Sequence, residues 1–261
     1  MASKYAKLQN ARVLIFGGTS GVGFCVAEAS LSQGAQVVIS GSSPSKLEHA
    51  LKRLHEAFPD AASRISGYTC DLSDSEALES RLTTLLKTAA SESPIDHIVF
   101  CAGDAPLSVP ISKATVADML KPANIRFLGF LMLAKVAPAY MAPGPTSSMT
   151  TTSGTIAQRP GQNLAVTCGW ANATEGIARG LAVDLAPIRV NLVSLGAIHT
   201  ELLDRFIPKD MMEEKLKEYG DSTLVGKLGR PEEVAEAYIY LMRDSYVTGT
   251  KVTTDGGRLL K

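Results

Sequence analysis

Residues Arg12-Val-Leu-Ile-Phe16, four of the five apolar, run directly into Gly17-Gly18-Thr19-Ser20-Gly21-Val22-Gly23, and a helical pattern from Phe24 to Gln33, closed by Gly34, follows at once. This junction constrains the chain more than any other feature. A short buried strand that feeds a helix through a glycine-rich turn is the opening unit of an α/β sheet. Glycines let the backbone come close to a bound group, and the partly positive start of the helix presents N–H groups to an anion such as a pyrophosphate. The spacing is Gly17-x3-Gly21-x-Gly23 and not GxGxxG, so its place after the first strand strengthens the reading. A glycine turn that only reverses the chain is the competing interpretation.

The pattern then repeats. Ala35 to Ile39 forms a second apolar run, the turn Ser40-Gly41-Ser42-Ser43-Pro44 follows, and Lys46 to Phe58 is amphipathic. Strands are expected at Arg64 to Cys70, His97 to Cys101, Ser147 to Thr151, Arg189 to Ser194 and Lys251 to Thr253. Helices are expected at Ser75 to Ser91, Lys113 to Met141, Thr167 to Leu185 and Glu232 to Met242. Such alternation predicts an open, doubly wound parallel sheet. No linker rich in Pro, Gly or Ser divides the chain, so residues 1–261 are expected to form one domain. Glu201 to Lys227 stands outside the alternation, with Met211, Met212, Leu216 and Tyr219 at helical spacing among charges. It reads either as a substrate lid or as an ordinary surface helix.

Composition narrows the function classes. The 261 residues carry 26 Lys and Arg against 26 Asp and Glu, and 45% are hydrophobic, which is enough to bury a core without staples. A net charge of zero without basic clusters argues against nucleic acid and anionic membranes as partners. Cys25, Cys70, Cys101 and Cys168 lie far apart without a CxxC pair, and histidines are not clustered, so neither a metal site nor a disulfide framework is expected. Reduced thiols and a polar N-terminus without a long apolar stretch point to a cytoplasmic protein.

Read in order, GGTSGVG at 17–23, CDL at 70–72, CAG at 101–103, RVN at 189–191, LGAIHT at 195–200 and DGG at 255–257 resemble the short-chain dehydrogenase/reductase family over nearly the whole chain. The resemblance implies a Rossmann sheet of seven strands. It implies that Gly17, Thr19, Ser20, Gly21, Val22 and Gly23 cradle a dinucleotide, with Asp71 and Leu72 against the adenine. Ala102 and Gly103 would lie beside the ribose, and Ile198 and Thr200 at the nicotinamide amide. Cofactor choice turns on the end of the second strand, where a carboxylate would bind the ribose hydroxyls and repel a 2′-phosphate. None is present. Ser42, Ser43 and Lys46 stand there instead and favour NADP(H), unless Lys46 merely opens a solvated helix.

Ordinary members of the family protonate a ketone with a Tyr, assisted by a Lys four residues later, a Ser thirteen residues before the Tyr, and an Asn on the preceding helix. Anchored on Glu175 to Pro187, the correspondence puts Thr167 at the Tyr and Ala171 at the Lys. It puts Gly154, flanked by Ser153 and Thr155, at the Ser, and Arg126 at the Asn. Cys101 and Leu195 replace an expected Asn and Pro. No Tyr-x3-Lys pair occurs between residues 140 and 200, so the usual relay is absent, and a threonine hydroxyl cannot replace it as an acid.

Reduction of a carbonyl leaves an alkoxide that needs a proton, whereas reduction of an iminium ends at a neutral amine. A nucleotide site beside an emptied relay therefore fits an imine or iminium reductase acting on a bulky hydrophobic substrate. The pattern resembles atypical fungal members of secondary metabolism, among them bifunctional reductases and Diels–Alder cyclases of bicyclic indole alkaloid pathways. A cyclase or isomerase without net redox change, or a non-catalytic binding protein, is the alternative. Arg126 reads as a cation for a substrate carbonyl or carboxylate, or as half of a salt bridge with a residue such as Asp104. Trp170 reads as a stacking surface for a flat substrate, or as a packing or subunit-interface residue. The family forms oligomers, so a homodimer or homotetramer is expected, with Ala171, Ala173, Ala178 and Gly180 permitting close helix packing.

Overall fold

The computed structural model describes residues 4–261. Seven strands form one parallel sheet: β1 (Arg12–Phe16), β2 (Gln36–Gly41), β3 (Ile65–Thr69), β4 (His97–Phe100), β5 (Ser148–Gly154), β6 (Arg189–Leu195) and β7 (Lys251–Thr254), in the order β3-β2-β1-β4-β5-β6-β7. Every residue of β1 and β4 is buried because helices cover both faces, which is why these strands read as unbroken apolar runs. On one face lie α1 (Gly21–Ser32), α2 (Pro44–Ala57) and the later α9 (Pro231–Arg243); Phe24, Val26, Leu31, Leu47, Leu54 and Ile239 pack there on Val13, Ile15 and Val37. The other carries α3 (Leu78–Ala89), α5 (Phe130–Val136) and α6 (Ala165–Asp184), with Leu82, Leu86, Phe130 and Leu133 against Leu14, Ile98 and Met149.

The strand order reverses between β1 and β4, and a crevice opens beyond their carboxyl ends, the place where doubly wound sheets bind ligands. Register makes this crevice: Phe16 pairs with both Ser40 and Phe100, so the chain leaves β1, β2 and β4 at one level, at Gly17, Gly41–Ser42 and Cys101.

The expected helix from Lys113 to Met141 is corrected by the structure. It breaks into a 3-10 turn (Ile111–Lys113), α4 (Val116–Leu120), a wide π-turn (Asn124–Gly129), α5 and a second 3-10 turn (Ala137–Tyr140). Pro122 and Pro138 lack the N–H that a continuous helix needs, and they sit at the breaks. The strand expected to end at Thr151 continues to Gly154, where a run of β-branched threonines suits extended backbone. Within residues 201–227 the chain forms α7 (Glu201–Phe206), a 3-10 turn (Lys209–Met211) and α8 (Met212–Asp221).

Polar groups lock the amino-terminal edge of the sheet. The Arg189 guanidinium donates to the carbonyls of Pro145, Leu241, Met242 and Val247 at 2.6 to 3.0 Å. Buried His97 meets the Ser148 hydroxyl at 2.9 Å. The four cysteines are free thiols, and no helix of the described residues is long and apolar enough to cross a membrane.

Candidate functional site

The glycine turn wraps tightly onto itself. A Cβ on Gly23 would stand 2.3 Å from the Gly17 carbonyl oxygen, closer than atoms pack, so only glycine lets α1 begin this near the end of β1. Gly17, at φ +76°, turns the chain while its N–H donates to the Ser40 carbonyl. Ser20 is the N-cap of α1 but makes no side-chain capping bond, and no acidic residue stands in the first turn. The N–H groups around Gly21, Val22 and Gly23 are thus arranged for an anion. Thr19 packs against Gly41, linking this cradle to the end of β2.

Beyond β2, Ser42 is exposed and Ser43 caps α2, accepting from the Lys46 N–H at 3.5 Å; Pro44 opens the helix, and exposed Lys46 stands in its first turn. Hydroxyls, a lysine and a helix start converge there without a carboxylate. The Asp71 carboxyl is held below its usual range, first by the Ser73 backbone N–H, which donates at 3.0 Å, and in part by Arg81. Leu72 beside it is buried. These residues fit a dinucleotide extended across the switch point: turn for pyrophosphate, Asp71–Leu72 for the base, and the start of α2 for a 2′-phosphate.

Ala102 and Gly103 form the next wall. A Cβ on Gly103 would lie 2.2 to 2.5 Å from Nε, Cζ and Nη2 of Arg126, so the bare glycine gives the guanidinium its seat. The π-turn carries Arg126 there, and its Nη1 donates only a long 3.5 Å bond to the Thr152 carbonyl. Among the described residues Arg126 forms no salt bridge; the Asp104 pairing foreseen as one alternative is limited to longer-range attraction. Burial pushes the guanidinium below its usual pKa, with Cys101, Tyr238 and Asp104 opposing. Beneath it, Thr152 Oγ1 lies 2.8 Å from the Tyr238 hydroxyl, donates to the Phe100 carbonyl at 2.8 Å and approaches Cys101 Sγ at 3.5 Å. Burial raises both the Cys101 thiol and, far above its ordinary value, the Tyr238 phenol. Sequence reasoning missed Tyr238: in an amphipathic helix it looks like any packing residue.

The expected catalytic residues on the neighbouring helix make defined contacts. The Thr167 hydroxyl donates to the Leu107 carbonyl at 2.9 Å. Trp170 packs against Phe127 with the rings tilted by 57° and centroids 5.1 Å apart, and its indole N–H donates to the Met119 carbonyl at 2.6 Å. Buried Ser153 donates to the Ala171 carbonyl at 3.2 Å. On the opposite side Ile198 is buried against Gly229, and Thr200 caps α7 with its methyl beside Gly21. Glu201, likewise unforeseen, brings its carboxylate to the same corner. The 201–227 excursion therefore starts at the glycine turn. At its far end the N–H groups of Leu224 and Val225 donate to the Gly256 carbonyl.

The family described as SDR-like rossmann domain matches residues 4–261. Over 255 residues the chain is 42% identical to the short-chain dehydrogenase/reductase malC of Malbranchea aurantiaca, a match covering 97% of this chain and 96% of that protein. It is 41% identical over 251 residues to the short-chain dehydrogenase/reductase ATR9 of Stachybotrys chlorohalonatus, covering 95% and 97% respectively. The solved structure of the MalC reductase/Diels-Alderase from Malbranchea aurantiaca superposes with a TM-score of 0.94 at 41% identity, covering 99% of this chain and 100% of that one.

Proposed function

Because this chain belongs to the short-chain dehydrogenase/reductase family, we propose that it is an NADPH-dependent reductase of secondary metabolism that reduces an imine or iminium in a bulky hydrophobic, alkaloid-like substrate. One observation carries this reading: a tight glycine turn, with Ser42, Ser43 and Lys46 in place of a carboxylate beyond β2, stands beside positions from which the proton relay is gone. Thr167 is bonded to the Leu107 carbonyl, Ala171 has no ionisable group, and the following helix offers no substitute lysine. NADPH, when bound, supplies the hydride. The chain's own residues seat the pyrophosphate at Gly17–Gly23, meet the 2′-phosphate with Ser42, Ser43 and Lys46, and flank the ribose with Ala102 and Gly103. Ile198 and Thr200 are assigned to the nicotinamide amide.

Arg126 then orients the substrate. A largely desolvated guanidinium with one long hydrogen bond retains donors for a substrate carbonyl or carboxylate. Near an iminium its charge would repel the cation, so the Arg126-bound group lies at another point of the substrate. Trp170 supplies packing behind Phe127, and Ser153 steadies α6 through Ala171.

Stopped-flow absorbance at 340 nm tests the reading with 1-methyl-3,4-dihydroisoquinolinium and a matched aryl ketone. Loss of NADPH with the iminium and none with the ketone is expected; the reverse pattern would overturn it. A second reading, cyclisation in the same pocket, is favoured by the 41% identity to a protein described as a reductase/Diels-Alderase. Product formation without loss of 340 nm absorbance would identify a cyclase without net redox change. We also infer a homodimer or homotetramer packed through α6, where Gly169 and Gly180 leave open space and Val183 is exposed; light scattering on the purified protein measures the assembly.

A further inference from the structure

Residues 104–120 leave β4 at the Gly103 wall and return toward the π-turn with little structure of their own, the Ile111–Lys113 turn and the five-residue α4. Pro106 and Pro110 remove two backbone donors. Pro106, Leu107 and Val109 are half-buried, while Asp104, Ala105, Ser108 and Pro110 are exposed. Apart from the Lys121 N–H to Ala117 carbonyl bond that closes α4, three hydrogen bonds among the described residues tie this segment to the rest of the fold, and all three end on residues 163–170. The Val109 N–H donates to the Asn163 carbonyl at 2.9 Å, Thr167 Oγ1 to the Leu107 carbonyl at 2.9 Å, and Trp170 Nε1 to the Met119 carbonyl at 2.6 Å. A segment so sparsely bonded opens locally at far lower cost than the sheet beneath it.

We propose that Thr167 is a positioning residue whose hydroxyl latches segment 104–120 across the site, over the reactive end of the cofactor. This deepens the reading above and rests on its nicotinamide cofactor. The geometry supports it from two sides: the segment begins at the wall that holds Arg126 and is pinned at the helix position corresponding to the family's proton donor. Trp170, one helical turn on, pins the same segment's far end. Where the family's proton donor would stand, this chain carries a hydroxyl too weak to act as an acid, and its donor is committed to a backbone carbonyl, so it encloses the substrate instead of protonating it.

Hydrogen–deuterium exchange on the full chain reads the latch without turnover. One neutral hydrogen bond shifts a local opening equilibrium by about five- to tenfold. Thr167→Val should therefore speed exchange in peptides covering 107–119 by about that factor, with residues 12–16 and 97–100 unchanged. Thr167→Ser, which keeps the donor, should exchange like the parent, and Trp170→Phe should loosen the Met119 end alone. NADPH release, followed by stopped-flow fluorescence, should accelerate in Thr167→Val and not in Thr167→Ser. Parent-like exchange in the valine variant would overturn the latch, as would faster exchange across β1 and β4. Loosened exchange with unaltered NADPH release would overturn its placement over the cofactor. If the parent binds no NADPH, the functional reading and that placement both fall, while exchange in the ligand-free protein still decides the tether.

Discussion

Two arginines stand at opposite ends of the same sheet, and they are treated in opposite ways. Arg189, at the amino-terminal edge, is only 3% exposed and donates to four carbonyls that pin α9 and the loops around it. Arg126, at the carboxyl edge, lies over Gly103 and, among the described residues, makes a single 3.5 Å bond. A guanidinium has five N–H donors in a fixed fork. Where the fold uses nearly all of them, the residue is architecture; where it leaves most of them unused beside the crevice, they are free for the substrate-binding role proposed for Arg126. Residue type alone does not separate the two roles, but hydrogen-bond accounting does.

The sharpest way to break this contrast is to remove each cation in turn. Arg189→Met strands several buried carbonyls and should cost about 3–5 kcal/mol in urea unfolding. Arg126→Met should change unfolding by less than about 1 kcal/mol. If both variants unfold alike, the distinction fails. In turnover the ranking should invert: Arg126→Met is expected to lower kcat/KM about 100-fold, the loss of a charge-assisted contact. NADPH affinity measured by fluorescence titration should stay within about twofold of the parent.

Acid probes the architectural end. Burial holds the His97 imidazole at about 3, against its ordinary 6.5, and the charge of Arg189 pushes the same way. The folded protein keeps this ring neutral while the unfolded chain protonates it. Its contribution is therefore whole above pH 6.5 and declines as pH falls from there toward 3. Between pH 7 and pH 5 the loss should be about 2 kcal/mol in urea unfolding. His97→Asn should flatten that part of the profile; an unchanged slope would deny the neutral ring. The smallest effect belongs to the nucleotide edge. NADPH should bind at least about tenfold more tightly than NADH, and Lys46→Ala should erase only part of that gap, about threefold, because Ser42 and Ser43 keep their hydroxyls.

Much of this contrast could be read in advance from one side only. The strand-turn-helix beginning was legible because β1 is buried on both faces, and helix placement outside is what makes it uniformly apolar. The absence of Tyr and Lys from α6 was equally plain, since a missing side chain needs no coordinates. Less was legible at Arg126: its position could be counted, but not the wide turn that carries it or the bare Gly103 that receives it. Thr167 and Trp170 were identified by position, and only the fold shows that both donate to backbone carbonyls of a segment 60 and 51 residues earlier, respectively. Partners that are carbonyls leave no mark in sequence, because every residue has one. For the same reason the four acceptors of Arg189 were invisible, while the residue itself lay within a recognisable motif.

The π-turn from Asn124 to Gly129 has a consequence in angular phase. An α-helix advances about 100° per residue, so the wide turn shifts the azimuth of everything before it relative to Phe130 and Leu133, which stay anchored in the core. Deleting one residue there would barely shorten the rod but would swing its preceding stretch around its axis. The guanidinium would leave the carboxyl edge without any change in the identity of the residue that bears it. In this molecule a side chain's address is set by helical phase as much as by position in the chain, and a length change there would act as a rotation.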